Sequence, residues 1–116
     1  MLDAEHSQIK ELRKEGGTTT VALAGDVDLH RSPALHAELA EIAAERPRRL
    51  IIDLKEVPYM DSSGVGTLIE ILRRVTGYSG KMILCNLSDR VRSVFEITKL
   101  TQFFTICESV EQAKGA

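Results

Sequence analysis

Two adjacent serines follow an aspartate near the middle of the 116-residue chain, where hydroxyl groups could support several kinds of chemistry. The segment is Asp61-Ser62-Ser63-Gly64-Val65-Gly66. A serine hydroxyl can cap a helix, attack a substrate as a nucleophile, contact a bound phosphate or accept a phosphoryl group from a kinase. Which role applies depends on where the fold holds the two hydroxyls.

The flanking sequence places this segment at a turn from a strand into a helix. Leu50 to Leu54 is a short apolar run rich in β-branched residues, which is typical of a buried strand. After the serines, apolar residues recur at helical spacing and define one face: Val65, Leu68, Ile69, Leu72 and Val75. Free backbone N–H groups and the helix dipole favour an anion at such a helix start.

Motifs for catalysis do not fit this turn. A hydrolase nucleophile elbow is Gly-x-Ser-x-Gly, and neither Ser62 nor Ser63 has a glycine two residues before and two residues after it. Gly64 and Gly66 do not have the spacing of a P-loop or of a dinucleotide-binding fingerprint. A serine nucleophile also needs a base, and His30, in the loop after the first two strands, is interpreted as a surface residue. The sequence therefore predicts no enzyme.

Metal and cofactor sites find little support either. Asp28 and Asp61 could bind a hard cation, but two carboxylates from separate loops are weak evidence. Cys85 and Cys107 lie in apolar, strand-like segments and are predicted to be reduced core residues. A disulfide between them would require their strands to be neighbours. No cofactor is predicted.

Local physics leaves two roles open for the turn. As a helix N-cap, Asp61 or Ser62 would contribute about 1 kcal/mol. Gly64 and Gly66 fall in the first turn of the helix, where each costs about 1 kcal/mol relative to Ala. Glycines at that cost indicate a close approach to the backbone, by the sheet, by a partner or by a phosphate.

Composition limits the class of protein. With 43% apolar and 28% charged residues, the chain is predicted to form one domain over residues 1–116, with residues 1–7 loosely held. The net charge of −2 argues against a nucleic-acid partner. No apolar run approaches the roughly 20 residues of a membrane span, and no signal-peptide pattern is present. We therefore expect a cytoplasmic protein without direct membrane insertion.

Strands and helices are predicted to alternate along the chain. Ile9 to Glu15 and Thr18 to Ala24 form a hairpin across Gly16-Gly17. Later strands are predicted at Leu50–Leu54, Met82–Cys85 and Phe103–Cys107, with helix N-caps at Ser32, at the central turn, at Ser88 and at Ser109. Lys55 to Pro58 is interpreted as a connector. This order predicts a single α/β domain with a mostly parallel mixed sheet, an antiparallel N-terminal strand and helices packed on the sheet.

The central segment also resembles the signature of a known family, the bacterial anti-sigma-factor antagonists, whose fold is the STAS domain. The matching pattern is Asp53-Leu54-(x2)-Val57-Pro58-Tyr59-Met60-Asp61-Ser62-Ser63-Gly64-Val65-Gly66. The earlier segments Gly25-Asp26-Val27-Asp28 and Ser32-Pro33-Ala34-Leu35 are similar to that family's first loop and helix. The resemblance covers nearly the whole chain from Thr18 onward. It departs at Asp26, where the family often has Glu, and at Val65, where Leu is usual.

The resemblance implies a regulatory protein that works by partner switching. Unphosphorylated members bind an anti-sigma factor, itself a serine kinase of the histidine-kinase-like ATPase type, and so release a sigma factor. By position, Ser62 is the acceptor that this kinase phosphorylates, which ends binding, and a PP2C-type phosphatase restores it. ATP and Mg²⁺ belong to the kinase. The residues implied in partner binding are Asp28, Asp61, Ser62, Ser63, Gly64, Val65 and Gly66.

Two other functions remain open for the same fold. One is a STAS subunit of a transport or signalling assembly, although an intact Asp-Ser-Ser-Gly favours the phosphorylation switch. The other is a STAS module that binds a nucleotide at the start of the central helix.

Overall fold

Five strands and four helices form one α/β domain in the computed structural model, which describes residues 7–116. The strands are β1 (Ile9–Glu15), β2 (Thr18–Ala24), β3 (Arg49–Glu56), β4 (Lys81–Cys85) and β5 (Thr105–Cys107). The helices are α1 (Ser32–Ala44), α2 (Ser62–Gly77), α3 (Asp89–Ile97) and α4 (Val110–Lys114). The sheet has the order β1-β2-β3-β4-β5, with β1 antiparallel to β2 and the other pairs parallel. The predicted fold class is confirmed.

The two faces of the sheet are covered unequally. Helices α1, α2 and α3 supply buried side chains to the main core on one face, where Val21 and Leu23 of β2 point toward them. On the other face, α4 contributes Ala113 to a small cluster over Ile51 of β3 and Ile83 of β4. Strand β3 is therefore buried on both faces, which explains the consecutive apolar residues Leu50, Ile51 and Ile52.

Several predicted boundaries differ from the structure. β3 continues through Lys55 and Glu56, which were interpreted as a connector, because both residues extend a strand paired with β2. β5 begins at Thr105 rather than Phe103. Phe103 lies in a turn with 64% of its surface exposed, while Phe104 packs edge-to-face on Phe95, with ring centroids 5.3 Å apart.

Helix α2 also buries a face slightly different from the predicted one. Ile71 is fully buried, whereas Ile69 and Leu72 are half-buried at the margin of the core. Ile71 lies in line with Leu68 and Val75, and the helix packs on the sheet through these three buried residues. The error arose because Ile69, Ile71 and Leu72 are all apolar, and periodicity alone does not choose among them.

The start of α1 differs from the prediction as well. Ser32 is the first helical residue, and the N-cap is Arg31, whose side chain makes no capping hydrogen bond. The Ser32 side chain is buried, and its hydroxyl donates to the backbone carbonyl of Asp28 at 2.7 Å. Pro33 is the second residue of the helix, within its first turn. The Ser32 hydroxyl, which was expected to cap the helix, instead contacts Asp28 and Ser63.

The predicted caps of the two later helices are observed. The side chain of Ser88 accepts a hydrogen bond from the backbone of Val91, and that of Ser109 accepts one from Gln112. Both cysteines are free; Cys85 is buried, and Cys107 lies beside it in register on the neighbouring strand.

Residues 1–6, most of the segment expected to be loosely held, lie outside the described residues. Ser7, which is described, donates its hydroxyl to Glu38 at 2.6 Å. Between residues 7 and 116, no helix is both long enough and apolar enough to cross a membrane.

Candidate functional site

The turn between β3 and α2 is held by the carboxylate of Asp61. Asp61 is the N-cap of α2, and its Oδ1 accepts hydrogen bonds from the backbone N–H groups of Ser63 at 2.9 Å and Gly64 at 3.2 Å. The hydroxyl of Ser63 donates to the same oxygen at 2.5 Å. Just before the cap, Met60 forms an isolated parallel bridge with Val27 of the β2–α1 loop. One side chain therefore satisfies the start of the helix, as the sequence predicted for Asp61 or Ser62.

The second carboxylate oxygen of Asp61 reaches across to the β2–α1 loop. Asp61 Oδ2 accepts a hydrogen bond from the backbone N–H of Leu29 at 3.1 Å. In the same loop, Asp28 Oδ1 accepts from the backbone N–H groups of His30 at 3.0 Å and Arg31 at 3.1 Å. The structure thus brings together Asp28 and Asp61, the two acidic residues that the sequence singled out.

Both carboxylates accept hydrogen bonds from the backbone. Each is already occupied by N–H donors, and the part of the chain that is described has no group of three or more His, Cys, Asp or Glu side chains arranged to hold a metal. The pKa of Asp61 lies below its ordinary value, chiefly because of the hydrogen bond from the Ser63 hydroxyl. The backbone donors of Gly64, Leu29 and Ser63 add to the decrease, which partial burial opposes. Asp61 is therefore ionised at neutral pH.

The two serines have different environments. Ser62 is the first residue of α2 and is exposed, and among the described residues its hydroxyl has no hydrogen-bond partner. Ser63 is half-buried between Asp61 and Ser32, and its Oγ lies 3.0 Å from the Oγ of Ser32. One hydroxyl is available to another molecule, and the other is part of the packing between α1 and α2.

The two glycines of the first turn also differ. A Cβ atom on Gly64 would lie 2.7 Å from side-chain carbons of both Met60 and Val27, and 2.9 Å from the Val27 carbonyl oxygen. Only glycine fits there, because the β2–α1 loop presses against the helix start. A Cβ atom on Gly66 would meet nothing within 4 Å. The predicted close approach is therefore internal at Gly64, and the fold itself gives no reason for Gly66.

Other side chains around the turn complete an exposed surface. Leu29 is 74% exposed at the tip of the β2–α1 loop. The guanidinium of Arg90, near the start of α3, lies 5.3 Å from the ring centroid of Tyr59. His30 is exposed, as expected for a surface residue, and its described hydrogen bond is made by the backbone. Val65, a predicted partner-binding residue, is buried in the core beneath the turn.

Sequence reasoning missed Leu29 and misjudged Ser32. A single exposed apolar residue in a loop is common in soluble proteins, so the sequence alone did not single out Leu29. The contact between Ser32 and Ser63 joins residues 31 positions apart and has no local signature.

The arrangement presents a hydroxyl without supplying the chemistry to activate it. The Ser62 hydroxyl is exposed at a helix N-terminus, and within residues 7–116 no imidazole or carboxylate accepts its proton. It can therefore act as a contact point or as an acceptor of a group delivered by another protein. A phosphoryl group there would meet the positive end of the helix dipole.

The chain is similar to known proteins over most of its length. The family model of the STAS domain matches residues 10–113. The chain is 33% identical over 101 residues to the anti-sigma-B factor antagonist of Bacillus subtilis, which covers 87% of this chain and 92% of that protein.

Solved structures show the same fold. A crystal structure of an anti-sigma factor antagonist from Mycobacterium paratuberculosis superposes with a TM-score of 0.84 at 23% identity, covering 98% of this chain and 97% of that one. The structure of the Bacillus cell fate determinant SpoIIAA in its phosphorylated form has a TM-score of 0.68 at 25% identity, covering 90% and 96% of the two chains.

Proposed function

This chain belongs to the STAS-domain family, and we propose that it is an anti-sigma factor antagonist whose binding is switched off by phosphorylation of Ser62. In its unphosphorylated form it would bind an anti-sigma factor and so release a sigma factor. The anti-sigma factor would itself be the serine kinase that modifies Ser62, with ATP and Mg²⁺ bound to the kinase. A PP2C-type phosphatase would restore the binding form.

The contrast between the two serines carries this proposal. Ser62 is exposed and its hydroxyl is free of hydrogen bonds to the described residues, so a kinase active site can reach it. The Ser63 hydroxyl is held by Asp61 at 2.5 Å and lies 3.0 Å from that of Ser32. Phosphorylation of Ser63 would require these contacts to break, whereas phosphorylation of Ser62 leaves them in place.

The charge of a phosphoryl group explains why binding would be lost. It adds about −1.5 to −2 charges at neutral pH. Asp61, the neighbouring residue, is already ionised, so a partner surface shaped for a neutral hydroxyl would have to desolvate both groups. Such a mismatch costs on the order of a few kcal/mol, and each step of about 1.4 kcal/mol weakens binding tenfold.

The fold itself should tolerate the same charge. Ser62 lies at the N-terminus of the 16-residue helix α2, where the dipole favours a negative group. The cap from Asp61 to Ser63 and Gly64 does not use the Ser62 side chain. The phosphorylated protein would therefore keep its fold and lose its partner.

The proposed partners determine the cellular compartment in which the chain would act. Sigma factors work with RNA polymerase, so an antagonist of this kind would act in the cytoplasm by contacting proteins rather than nucleic acid. The net charge of −2 is consistent with that role.

The experiment is a kinase assay with site mapping. The purified chain is incubated with ATP and each histidine-kinase-like anti-sigma factor encoded in the same genome, and the product is analysed by mass spectrometry. We expect one phosphoryl group, on Ser62, and none on the Ser62→Ala variant. The Ser63→Ala variant is the matched control and should still be modified. Phosphate on Ser63 alone, or no phosphate with any of these kinases, would contradict the proposal.

Affinity measurements complete the test. Ser62→Asp adds a charge to the docking surface, while Ser62→Asn has nearly the same shape without the charge. We expect the Asp variant to bind the kinase at least tenfold more weakly than the Asn variant. Equal affinities would exclude charge as the cause of the switch.

A further inference from the structure

We propose that Leu29 is the apolar anchor by which this chain docks on its anti-sigma factor, and that Asp61 is the positioning residue that holds Leu29 in place. This inference rests on the proposed function and adds to it a second point of contact beside Ser62. The partner would carry an apolar pocket next to the surface that receives the Ser62 hydroxyl.

Leu29 is a large apolar side chain that the fold leaves exposed. The described large apolar side chains with substantial exposure are Leu12, Leu29, Ile97 and Phe103. Leu29 is 74% exposed. Its backbone N–H donates to Asp61, the residue that caps α2 and precedes Ser62. Ile97 ends α3, roughly 13 Å along that helix from its beginning. Leu29 thus lies in the loop that is hydrogen-bonded to the turn carrying Ser62.

The loop that carries Leu29 is held unusually firmly for an exposed segment. Three consecutive backbone N–H groups donate to carboxylates: Leu29 to Asp61, and His30 and Arg31 to Asp28. The loop also forms the Val27 to Met60 bridge. A side chain presented on a fixed backbone loses less conformational freedom on binding, which is how an anchor residue contributes affinity.

The polar groups beside Leu29 also favour an apolar contact. Asp61, through both carboxylate oxygens, and Asp28, through Oδ1, already accept hydrogen bonds from backbone donors of the same chain. They are therefore poor candidates for strong ion pairs across an interface. Burial of Leu29 in an apolar pocket would add affinity beside Ser62 without an ion pair to either carboxylate.

Truncation of Leu29 tests the anchor. Leu29→Ala should weaken binding to the anti-sigma factor of the kinase assay by about 10- to 100-fold, the range expected for losing a buried leucine side chain. The matched control is Ile97→Ala, which truncates another exposed apolar side chain, 81% exposed, at the far end of α3. Its affinity should equal that of wild type. Both variants should keep the wild-type midpoint of urea unfolding, because neither side chain is packed in the core.

A second variant separates the two roles of Asp61. In Asp61→Asn, one amide oxygen can still cap α2, since Asn is as good an N-cap as Asp. The amide nitrogen then replaces Oδ2 and cannot accept the N–H of Leu29. We expect faster hydrogen exchange at the Leu29 amide and binding that is about 3- to 10-fold weaker, as for the loss of one hydrogen bond.

The double variant shows whether Asp61 acts through Leu29. If it does, Leu29→Ala with Asp61→Asn should bind within about twofold of Leu29→Ala alone, because a side chain that is gone needs no positioning. Additive losses would show that Asp61 contacts the partner directly and would overturn the positioning role.

The results also distinguish failure of the anchor from failure of the proposed function. If wild type binds the kinase and Leu29→Ala binds equally well, the anchor is wrong while the proposed function stands. If wild type binds none of the anti-sigma factors, both are wrong.

Discussion

The hydroxyl oxygens of Ser32 and Ser63 lie 3.0 Å apart and join the first turns of helices α1 and α2. Ser63 also contacts the carboxylate of Asp61 at 2.5 Å, and Ser32 contacts the carbonyl of Asp28 at 2.7 Å. The two hydroxyl protons can satisfy two of the three contacts at a time, so these groups share one small network. The network connects the two loops that form the candidate site and explains why the second serine of the pair is structural.

The first prediction separates the two serines by their effects on stability. Ser63→Ala removes contacts to Asp61 and to Ser32 in a partly buried place, and should lower the free energy of unfolding by about 1 kcal/mol. Ser62→Ala should change it by less than about 0.5 kcal/mol, because that side chain is exposed. Urea unfolding followed by circular dichroism measures both. A larger loss for the Ser62 variant would contradict the assignment of structural and accessible roles.

The second prediction concerns the two glycines of α2. Gly64→Ala should destabilise the fold by about 1–3 kcal/mol, because its Cβ would lie 2.7 Å from carbons of Met60 and Val27. Gly66→Ala should stabilise the fold by about 0.5–1 kcal/mol, since alanine is the better helix former and its Cβ would meet nothing. The same unfolding experiment gives both values. Equal effects of the two substitutions would mean that the close contact at Gly64 is absent in solution.

Substitution of Gly66 should also change the affinity for the anti-sigma factor. The fold gives no reason for glycine at this position, yet the family resemblance implies that it contacts the partner. We therefore expect Gly66→Ala to bind the anti-sigma factor more weakly even though it is more stable than wild type. If binding is unchanged, Gly66 does not belong to the docking surface and is simply a weak helix residue.

Local sequence was enough to predict the elements whose patterns are strong. The bounds of β1 and β2 agree with the predicted Ile9 to Glu15 and Thr18 to Ala24, because Gly16-Gly17 marks the hairpin turn. The alternation of strands and helices after the hairpin was enough to predict a mostly parallel sheet, because a helix between two strands allows them to run parallel. A helix cap at Asp61 or Ser62 followed from residue type and position, and the structure shows that the cap is Asp61.

Contacts between distant segments could not be predicted in this way. Ser32 has the residue type of an N-cap, but its hydroxyl turns to Asp28 and Ser63, and no local pattern encodes that choice. The hydrogen bond from Leu29 to Asp61 spans 32 residues and sets the shape of the candidate site. The family resemblance implies the role of Ser62, while the proposed anchor role of Leu29 rests on its exposure and on tertiary hydrogen bonds.

The third prediction follows from the lowered pKa of Asp61. A carboxyl group whose pKa is lower in the folded than in the unfolded chain stabilises the fold fully above its unfolded pKa of about 3.9. That contribution is lost as the pH falls through the lower folded pKa. The difference in unfolding free energy between wild type and Asp61→Asn should therefore be constant from pH 7 to about pH 5 and should shrink below about pH 4.

Urea unfolding of both proteins across this pH range measures the effect. The other carboxylates titrate in wild type and variant alike, so the difference isolates Asp61. A difference that stays constant to pH 2 would show that the hydrogen bonds from Ser63, Gly64 and Leu29 do not lower the pKa of Asp61.

The fourth prediction concerns the two cysteines, which lie in register on β4 and β5. Burial, and then the charges of Asp53, the Cys107 sulfur and Glu111, raise the pKa of Cys85 to about 12. At pH 8 only about one molecule in ten thousand would carry the Cys85 thiolate, which is the reactive form. Cys107 is half-buried, so a thiol reagent has access to it. The native chain should therefore react rapidly at one thiol and slowly at the other, with both reacting fast in denaturant.

Matched variants assign the two phases. Cys107→Ser should lose the rapid phase of reaction with Ellman's reagent at pH 8, while Cys85→Ser should keep it. Denaturing either variant should reveal one fast-reacting thiol. Cys85 is packed with Ile83 and Ala113 in the small cluster under α4. Its slow reaction should therefore follow the rate at which this cluster opens. Rapid labelling of native Cys107→Ser would contradict both the burial of Cys85 and its raised pKa.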